Sequence, residues 1–540
     1  MPRLTTYLLL TLPLLAGHAA AGEPASTPGR NLLLNGDFED GGDALPDGWQ
    51  RSWFPSDPAA PLLTRDGAAA REGRAGAGLQ PRQAERWESL TQRVDGAPRG
   101  ATLARLAGWV RVDASGDGAA RASLSLTFPG SGPRAPPLVY RSRELPGPCD
   151  WTLLELEVPV PPGATSWTVG CAVRGGARAS FDELVLTSST AHTDLVGVTL
   201  ALARGSYIIE GVKGPCENPW IEFSVPIPLG GQSPMALRVV SDPPDAVTAL
   251  HVLTDRENHP LRVDTQAVRL GDLVHLTAET FVLLRDRPAG DPGSARIPQA
   301  REIDEPLRTY LLPAPGLAPG EPEVLAAARR LGRDDLDQLF TDLRSFLEYK
   351  LAHSGDGLDH ALGDSQTGMA AGALWANTAA SMLMASGLPT RLLACTGVDG
   401  ALQEHYVLEA WTGKLGWLRL DADGSQPWSD QRNIVLRVIY PDAPRTQQNV
   451  PTFLRSHPGV FGGPDMNPFT LFWQSAETLG HFAVTLADLA AIEAASRAGM
   501  DGLTQQPAKG AQARFVAPGA VAEGGEAERV LAEIEARLGR

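Results

Sequence analysis

The chain has 540 residues, of which 43% are hydrophobic, so it is long enough for three or so domains with ordinary cores. Its formal net charge is −16 and no basic block interrupts this balance, which argues against nucleic acid as a partner. Glycine (57 residues) and proline (45 residues) are enriched, which favours short strands and many turns over long helices.

Residues 1–21 have the pattern of a secretory signal peptide. Arg3 supplies the charged start, Tyr7–Ala16 the apolar run, and Ala19–Ala21 the small-residue cleavage site. The apolar run is too short for a membrane span, and no later stretch is long and apolar enough for one. We therefore expect a secreted or periplasmic protein with no membrane span in the mature chain, beginning with a spacer over residues 22–30.

Residues 31–188 show short alternating runs separated by Gly/Pro turns, a pattern typical of a β-sandwich. The segment opens with Asn31–Glu39 (NLLLNGDFE) and closes with Ala179–Leu186 (ASFDELVL). At these two ends it resembles the galactose-binding-like jelly rolls, and carbohydrate-binding modules in particular. The resemblance implies an all-β jelly-roll sandwich, with a polysaccharide or a cell-envelope protein as the ligand.

The same resemblance implies a structural calcium ion between the first and last strands. Asp37, Glu39 and Asp182 could supply its oxygen ligands, although the same acids could equally cap turns. No other cofactor is required. For stacking on sugar rings, Trp53 and Trp87 are the better candidates, with packing as the alternative role, because Trp49 and Trp109 occupy positions that are core in the family.

Four cysteines, Cys149, Cys171, Cys216 and Cys395, are compatible with an oxidising compartment. Cys149 and Cys171 fall in the same expected domain and are the most plausible disulfide pair. Buried free thiols are the alternative.

Residues 194–312 form a second all-β segment in which we see no chemistry. Its predicted strands are Val196–Ala203, Trp220–Pro226, Met235–Val240, Ala249–Leu253 and Leu273–Leu284. The segment resembles the β-domain that precedes the core in bacterial transglutaminase-like proteins.

From Pro322 the apolar period becomes helical, which predicts amphipathic helices over Glu323–Leu331 and Asp334–Leu351. A third helix begins near Gly368 and is stopped by Gly387-Leu388-Pro389. A β-rich segment follows, with His405 on one run and Asp421 at the end of the next.

Three motifs carry a resemblance to the transglutaminase-like, papain-like superfamily. They are Gly387-Leu388-Pro389-Thr390-Arg391 after the helix, His405-Tyr406, and Trp417-Leu418-Arg419-Leu420-Asp421. The resemblance implies an α+β core over residues 322–442, with His405 and Asp421 as members of a Cys-His-Asp triad. At the position where the family carries its cysteine, this chain has Gly372.

A cysteine nucleophile acts as a thiolate that a helix N-terminus stabilises, and no Cys, Ser or Thr lies within two residues of Gly372. Cys395 comes after the helix. The sequence therefore predicts a pseudoenzyme that keeps His405 and Asp421 as a vestigial pair and acts as a binding or scaffold protein. The alternatives are an active amidase, peptidase or transglutaminase with a misassigned nucleophile, or a His–Asp pair that binds metal or activates water, with a third ligand from His353–Asp364.

The C-terminal part is predicted as a helical extension over residues 443–504, in which Asp465–Met500 contains further helix that includes a mostly apolar run from Phe469 to Trp473. A Gly/Ala/Pro-rich linker over Gln505–Gly525 then leads into a short amphipathic helix in the last part of the 505–540 segment. The apolar positions of that helix are Val530, Leu531, Ile534 and Leu538.

Overall fold

The structure is a computed structural model of a chain rich in β-sheet, and it is described over a defined set of residues. These are residues 30–42, 45–51, 62–82, 87–95, 102–114, 120–129, 137–161, 164, 166–190, 194–211, 220–253, 256–267, 269, 271–285, 296–313, 317–332, 335–352, 371–398, 405–413, 416–420, 433–439, 461–462, 466–505 and 508–539. Trp53, Cys216, Asp421, the 1–21 segment and the His353–Asp364 loop lie outside the described residues.

The first unit consists of short antiparallel strands. They are β1 (Gly41–Gly42), β2 (Leu45–Pro46), β3 (Gln50–Arg51), β4 (Leu62–Asp66), β5 (Gly76–Gln80), β6 (Glu88–Asp95), β7 (Leu103–Val112), β8 (Arg121–Phe128), β9 (Leu138–Arg141), β10 (Leu145–Pro146), β11 (Cys149–Pro159), β12 (Ser166–Arg174) and β13 (Ala179–Ser189). Sheet 1 has the order β10-β8-β12-β6-β3, with β9 also paired to β8, and sheet 2 has the order β11-β7-β13-β5-β4.

The two sheets form a sandwich because alternate residues of each strand are apolar and point inward. In β7, Ala104, Leu106, Val110 and Val112 are buried while their neighbours are partly exposed. Trp49 is in this core with 2% of its surface exposed, as expected. The core prediction for Trp109 is wrong: it lies on the outer face of sheet 2, with the guanidinium of Arg71 3.9 Å from its ring centroid.

The predicted Cys149–Cys171 disulfide is wrong, because both residues are free thiols. Cys149 begins β11 of sheet 2, whereas Cys171 lies in β12 of sheet 1. Facing sheets pack about 10 Å apart, beyond the roughly 7 Å limit on the Cα separation of a disulfide. Cys171 is fully buried in the sandwich core, and burial raises the pKa of its thiol.

The second β-unit begins with β14 (Leu195–Gly211), β15 (Trp220–Phe223), β16 (Gln232–Asp242), β17 (Val247–Val252), β18 (Leu261–Thr265) and β19 (Leu273–Arg285). The five strands predicted here are all confirmed, while β18 was not predicted.

Helices become frequent after β19. They are α1 (Glu305–Arg308), α2 (Pro322–Ala328), α3 (Leu336–Ala352) and α4 (Ala371–Ala385), and the second and third confirm the two predicted amphipathic helices. Strands β20 (Thr390–Gly397), β21 (His405–Trp411), β22 (Trp417–Leu420) and β23 (Asn433–Ile439) then form sheet 5, an antiparallel sheet in the order β22-β21-β20-β23. Apolar residues of α2, α3 and α4 pack on one face of this sheet.

The last part of the chain contains β24 (Phe461–Gly462), β25 (Met466–Thr485), α5 (Leu486–Gln505), β26 (Ala508–Lys509), β27 (Gln512–Arg514) and α6 (Glu526–Leu538). The helix predicted within Asp465–Met500 is confirmed from Leu486 onward. Its inclusion of the apolar run Phe469–Trp473 is wrong, because that run lies in β25, which pairs with β14, and tertiary pairing overrides local propensity. The linker prediction is also wrong, since β26 and β27 join sheets and Phe515 is buried.

Strands from both ends of this region complete the second sandwich. Sheet 3 has the order β25-β14-β19-β16-β27, and sheet 4 has the order β24-β15-β18-β17-β26. The predicted β-domain limit at residue 312 is therefore wrong, because each sheet recruits two strands from beyond residue 460. The predicted C-terminal helix is confirmed as α6, and its four apolar positions are buried against sheet 3.

The described helices were also compared with the dimensions of a lipid bilayer. None of them combines the length and apolar character needed to cross a membrane.

Candidate functional site

Helix α4 and sheet 5 form the region where sequence motifs placed a catalytic triad. The described part of the helix runs over Ala371–Ala385 and includes Gly372 as its second residue. It ends as the sequence predicts: Gly387 has φ of 91°, and the N–H of Leu388 donates to the carbonyl of Leu383 at 3.0 Å. This is a Schellman end, which requires a left-handed residue and favours glycine.

His405 is the first residue of β21, and its Cα partner on β20 is Cys395. Strand β22 ends at Leu420, so Asp421 and any contact it makes are outside the described residues. Of the predicted His405–Asp421 pair, the structure therefore describes the backbone of His405. The third ligand expected from the His353–Asp364 loop is likewise outside the described residues.

Cys395 is fully buried on the face of sheet 5 that points away from α4. Its neighbours on β20, Leu392 and Ala394, belong to the same apolar cluster as the buried residues of α4. Cys395 instead packs in a second cluster with Ile227, Leu229, Leu393, Val407, Val435 and Val438. Successive residues of a strand face opposite sides, so this thiol is on the wrong side of the sheet to be activated by the α4 N-terminus.

A buried ion-pair network, which sequence reasoning missed, lies on the neighbouring strands. Glu409 is 1% exposed and accepts hydrogen bonds from Arg391 Nη2 at 2.7 Å and Arg419 Nη2 at 2.8 Å. Burial opposes ionisation of Glu409, but the charges of Arg419 and Arg391 outweigh it and lower its pKa. Arg391 also donates to Glu257 at 2.8 Å and lies 4.2 Å from the ring centroid of Trp417.

This network has a structural role, since it ties sheet 5 to the loop before β18 through Glu257. Opposite charges at cross-strand positions of otherwise apolar strands were the available signal in the sequence: Glu409 pairs in register with both Arg391 and Arg419.

Two of the three predicted calcium ligands, Glu39 and Asp182, bind the same loop in the structure, over residues 71–75. Asp37 is exposed, whereas Asp182 is 1% exposed, and the described residues contain no group of three or more His, Cys, Asp or Glu side chains arranged to hold a metal. Asp182 Oδ2 instead accepts from the backbone N–H groups of Arg71 (2.6 Å) and Glu72 (3.1 Å). Burial raises the pKa of Asp182 despite these bonds.

Glu39 binds the same loop from its other end. Its Oε1 accepts from the backbone N–H groups of Arg74 (2.6 Å) and Ala75 (3.2 Å), and these bonds lower its pKa. A Cβ at Gly73 would lie 2.0 Å from this oxygen. Glu39 and Asp182 therefore hold one loop through its backbone N–H groups, and the calcium ion stays a prediction.

Trp87 precedes β6 at the edge of a polar floor on the outer face of sheet 1. The floor consists of small and hydroxyl side chains whose strand neighbours point into the core. Ser89, Thr91, Ser125, Thr127 and Thr168 are partly exposed, whereas Ser123, Gly170 and Ala172 are buried. Arg141 of β9 is the register partner of Ser125, and its guanidinium lies 5.2 Å from the Trp87 ring centroid. Two strands, β8 and β12, separate β9 from β6, so the two side chains meet above the floor.

The central residue of the floor, Gly170, has no side chain. Gly170 pairs with Thr91 on one side and Ser125 on the other, and a Cβ there would lie 2.4 Å from Ser125 Oγ. A row of hydroxyls bounded by an indole and a guanidinium can hydrogen-bond sugar hydroxyls and contact the apolar face of a sugar ring. Trp53, the other predicted stacking residue, lies outside the described residues.

Comparison with known proteins gives similarity to solved structures alone. No protein-family model and no curated protein sequence matches the chain. A Cytophaga hutchinsonii structure named "putative cysteine protease" aligns with 53% of this chain and 93% of its own, at 10% identity and a TM-score of 0.37.

Two carbohydrate-binding structures align with shorter parts of the chain. A module named TmCBM61, in complex with beta-1,4-galactotriose, aligns with 30% of this chain and 99% of its own, at 19% identity and a TM-score of 0.22. The CBM22-1 xylan-binding domain of Paenibacillus barcinonensis Xyn10C aligns with 31% of this chain and 100% of its own, at 15% identity and a TM-score of 0.23.

Proposed function

We propose that this chain is an exported, non-catalytic binding protein, built from a carbohydrate-binding-module-like jelly roll and a degenerate transglutaminase-like core. The observation that carries the non-catalytic part is the position of Cys395. Its side chain is fully buried on the face of sheet 5 opposite α4, while the first turn of α4 has Gly372 where the family has its nucleophile. The thiol of Cys395 would need a local conformational opening before it could contact a substrate.

The ligand in this proposal is a polysaccharide or another envelope component that binds the polar floor of sheet 1. The floor combines the hydroxyls of Thr91, Ser125 and Thr168 with the Trp87–Arg141 pair at its edge. Such a site uses many hydrogen bonds to sugar hydroxyls together with one aromatic contact.

Binding is tested with a panel of immobilised polysaccharides and the full chain. We expect Trp87→Ala to weaken binding by about tenfold or more, the loss expected for an aromatic contact and the ordered groups around it. Trp151→Ala is the matched control, because Trp151 of β11 also faces an arginine, Arg111, at 5.1 Å but lies on the other sheet. Equal losses in the two variants, or no binding to any polysaccharide, would contradict the proposed site.

Absence of catalysis is tested by amine incorporation and by peptide hydrolysis, each combined with iodoacetamide treatment. We expect no turnover above background and no difference between the parent and Cys395→Ala. Cys171→Ala is the control for removing a buried thiol, since Cys171 is equally inaccessible in the first sandwich. Turnover that disappears in Cys395→Ala and persists in Cys171→Ala would establish the alternative function, a cysteine-dependent amidase, peptidase or transglutaminase.

Export is part of the same proposal and has its own test. Expression of the full chain in a Gram-negative host, followed by fractionation and N-terminal sequencing, should yield a periplasmic or secreted product that begins near residue 22. An uncleaved product in the cytoplasmic fraction would contradict export.

A further inference from the structure

The first sandwich meets the C-terminal part of the chain around an open cavity of about 440 Å³. Its lining comes from the β7–β11 side of sheet 2, the loop after β9, strand β25 and helix α6. The lining residues are Arg105, Arg143, Leu153, Glu155, Glu157, Leu479, Gly480, His481, Phe482, Glu526, Arg529 and Glu533. Ligand pockets commonly have volumes of roughly 300–1,000 Å³ and occur at domain interfaces.

The joint that frames the cavity is fixed by specific contacts. The ring of Tyr140 on β9 packs edge-on against His481 of β25, with centroids 5.8 Å apart, and His481 Nδ1 lies 2.8 Å from Thr199 Oγ1 of β14. Arg121 of β8 also approaches Glu477 of β25 at 3.9 Å. The cavity is therefore a feature of two units held in one orientation.

Most charges in the cavity already have partners. Arg105 donates to Glu155, Arg529 donates to Glu526, and Glu533 accepts from Arg537 at 2.6 Å. Within the described part of the chain, two lining charges make no hydrogen bond or ion pair through their side chains: the carboxylate of Glu157 and the guanidinium of Arg143.

Among the described residues, Glu157 has no ion-pair partner because the neighbouring arginine, Arg105, donates to Glu155. Arg105 is its register partner on β7, but the guanidinium of Arg105 bonds to Glu155 instead. Burial raises the pKa of Glu157, and the negative charges of Glu526 and Glu155 raise it further, outweighing the nearby positive charges of Arg105 and Arg529, which lower it. A half-buried carboxylate beside a second carboxylate favours a bound positive group.

Arg143 supplies the opposite charge in the same cavity. It does not pair with Glu157, so the two groups are more than 4.0 Å apart, the limit for an ion pair. Between the charged groups, Leu153, Leu479 and Phe482 provide apolar wall. A ligand that satisfies all of these groups carries a cation at one end, an anion at the other and an apolar body.

We propose that this cavity binds a zwitterion with a free ammonium group, a free carboxylate and an apolar side chain, that is, an amino acid or a short peptide with free ends. The ammonium contacts Glu157, the carboxylate contacts Arg143, and the side chain packs against Leu153 and Phe482. Because the walls come from both units, the bound ligand also stabilises their joint.

The experiment is isothermal titration calorimetry of the full chain at neutral pH with leucine, Leu-Leu and Leu-Leu-Leu. The series distinguishes an amino acid from a peptide, because the best ligand is the one whose charged ends span the distance between Glu157 and Arg143. We expect N-acetylation or C-amidation of that ligand to weaken binding by about tenfold or more, the loss of one charged hydrogen bond. Affinity should also fall on acidification, as Glu157 becomes protonated.

Two variants assign the ends of the ligand. Glu157→Gln should weaken the free ligand but not its N-acetylated form, and Arg143→Gln should weaken the free ligand but not its C-amidated form. Glu305→Gln and Arg93→Gln, which remove exposed charges outside the lining of the cavity, are the controls, and unchanged melting temperatures establish folding. No measurable binding of the series, or blocked ligands that bind as tightly as free ones, would overturn the proposal.

Discussion

Cys395 and His405 are direct cross-strand partners in the antiparallel pair of β20 and β21. A cysteine and a histidine at such positions have Cβ atoms about 5 Å apart, a separation that a catalytic dyad could use. Here the cysteine side chain is sealed in an apolar cluster with Val407 and Val435, on the face away from α4. A cysteine beside a histidine is therefore insufficient for a catalytic dyad. The reactivity of the Cys395 thiol depends on which face of sheet 5 it occupies.

The buried network around Glu409 should be a large contributor to stability. Glu409→Gln leaves Arg419 with no full counter-charge and Arg391 with Glu257 alone, at a site where the two arginines are 11% and 4% exposed. We expect a loss of about 3–5 kcal/mol in the free energy of unfolding, measured by urea denaturation. Glu257→Gln is the matched control: its side chain is 44% exposed, so its loss should be about 1 kcal/mol or less. Similar losses in the two variants would contradict this assignment.

The contribution of the Glu409 charge to stability should depend on pH in a defined direction. The pKa of Glu409 is lowered in the folded state from its ordinary value of 4.5. Its stabilising contribution is therefore complete above that value and is lost as the pH falls through the folded-state pKa. The difference in unfolding free energy between the parent and Glu409→Gln should thus shrink when the pH is lowered from 7 to 3. A difference that stays constant over this range would rule out the charge as its source.

The loop after β4 should depend on Gly73 and be indifferent to calcium. Gly73 has φ of 75°, and a Cβ would meet Glu39 Oε1 at 2.0 Å, so Gly73→Ala should lower the melting temperature through both strain and loss of the Glu39 hydrogen bonds. Gly524→Ala is the control for strain alone, because Gly524 has φ of 79° and open space around it. Calcium or a chelator should leave the melting temperature of the parent unchanged; a decrease on chelation would contradict the reading of this loop.

The thiols of the first sandwich should respond to unfolding and be indifferent to mild reductant. In a Cys216→Ser background, dithiothreitol should leave the melting temperature unchanged, because Cys149 and Cys171 are free and lie in opposite sheets. In the native protein, a thiol reagent should modify the partly exposed Cys149 and leave Cys171 and Cys395 unmodified until denaturant is added. A reductant-dependent melting temperature would indicate a disulfide in this background.

Local signals account for the parts of the fold that sequence reasoning predicted. Gly387 and Leu388 form the end of α4 through bonds within six residues, and the buried positions of α6 follow from a helical period within thirteen residues. The strand β25 was missed because its partner, β14, lies more than 250 residues earlier in the chain, and pairing of that kind leaves no local pattern.

In the candidate site, too, some features follow from the local sequence and others depend on the pairing of distant strands. Gly372 lies within α4, whose end at Gly387 is predicted from the sequence, and Trp87 lies just before an alternating strand, where it is partly buried. Which sheet a cysteine joins, which face Cys395 takes, and which carboxylate captures Arg105 depend on register between distant strands. These properties depend on tertiary structure, and the local sequence pattern does not predict them.

The sharing of sheets 3 and 4 between residues 195–285 and 461–514 has a consequence for how the chain is made. Helices α1–α4 and sheet 5 are an insertion in the second sandwich. During synthesis, β14 therefore has one long edge without its final partner until β25 emerges, some 255 residues later. The first sandwich can close as soon as β13 is complete, whereas the second sandwich must wait for the whole insertion. A fragment that stops after sheet 5 presents a seventeen-residue strand edge to its neighbours, and is a template for aggregation.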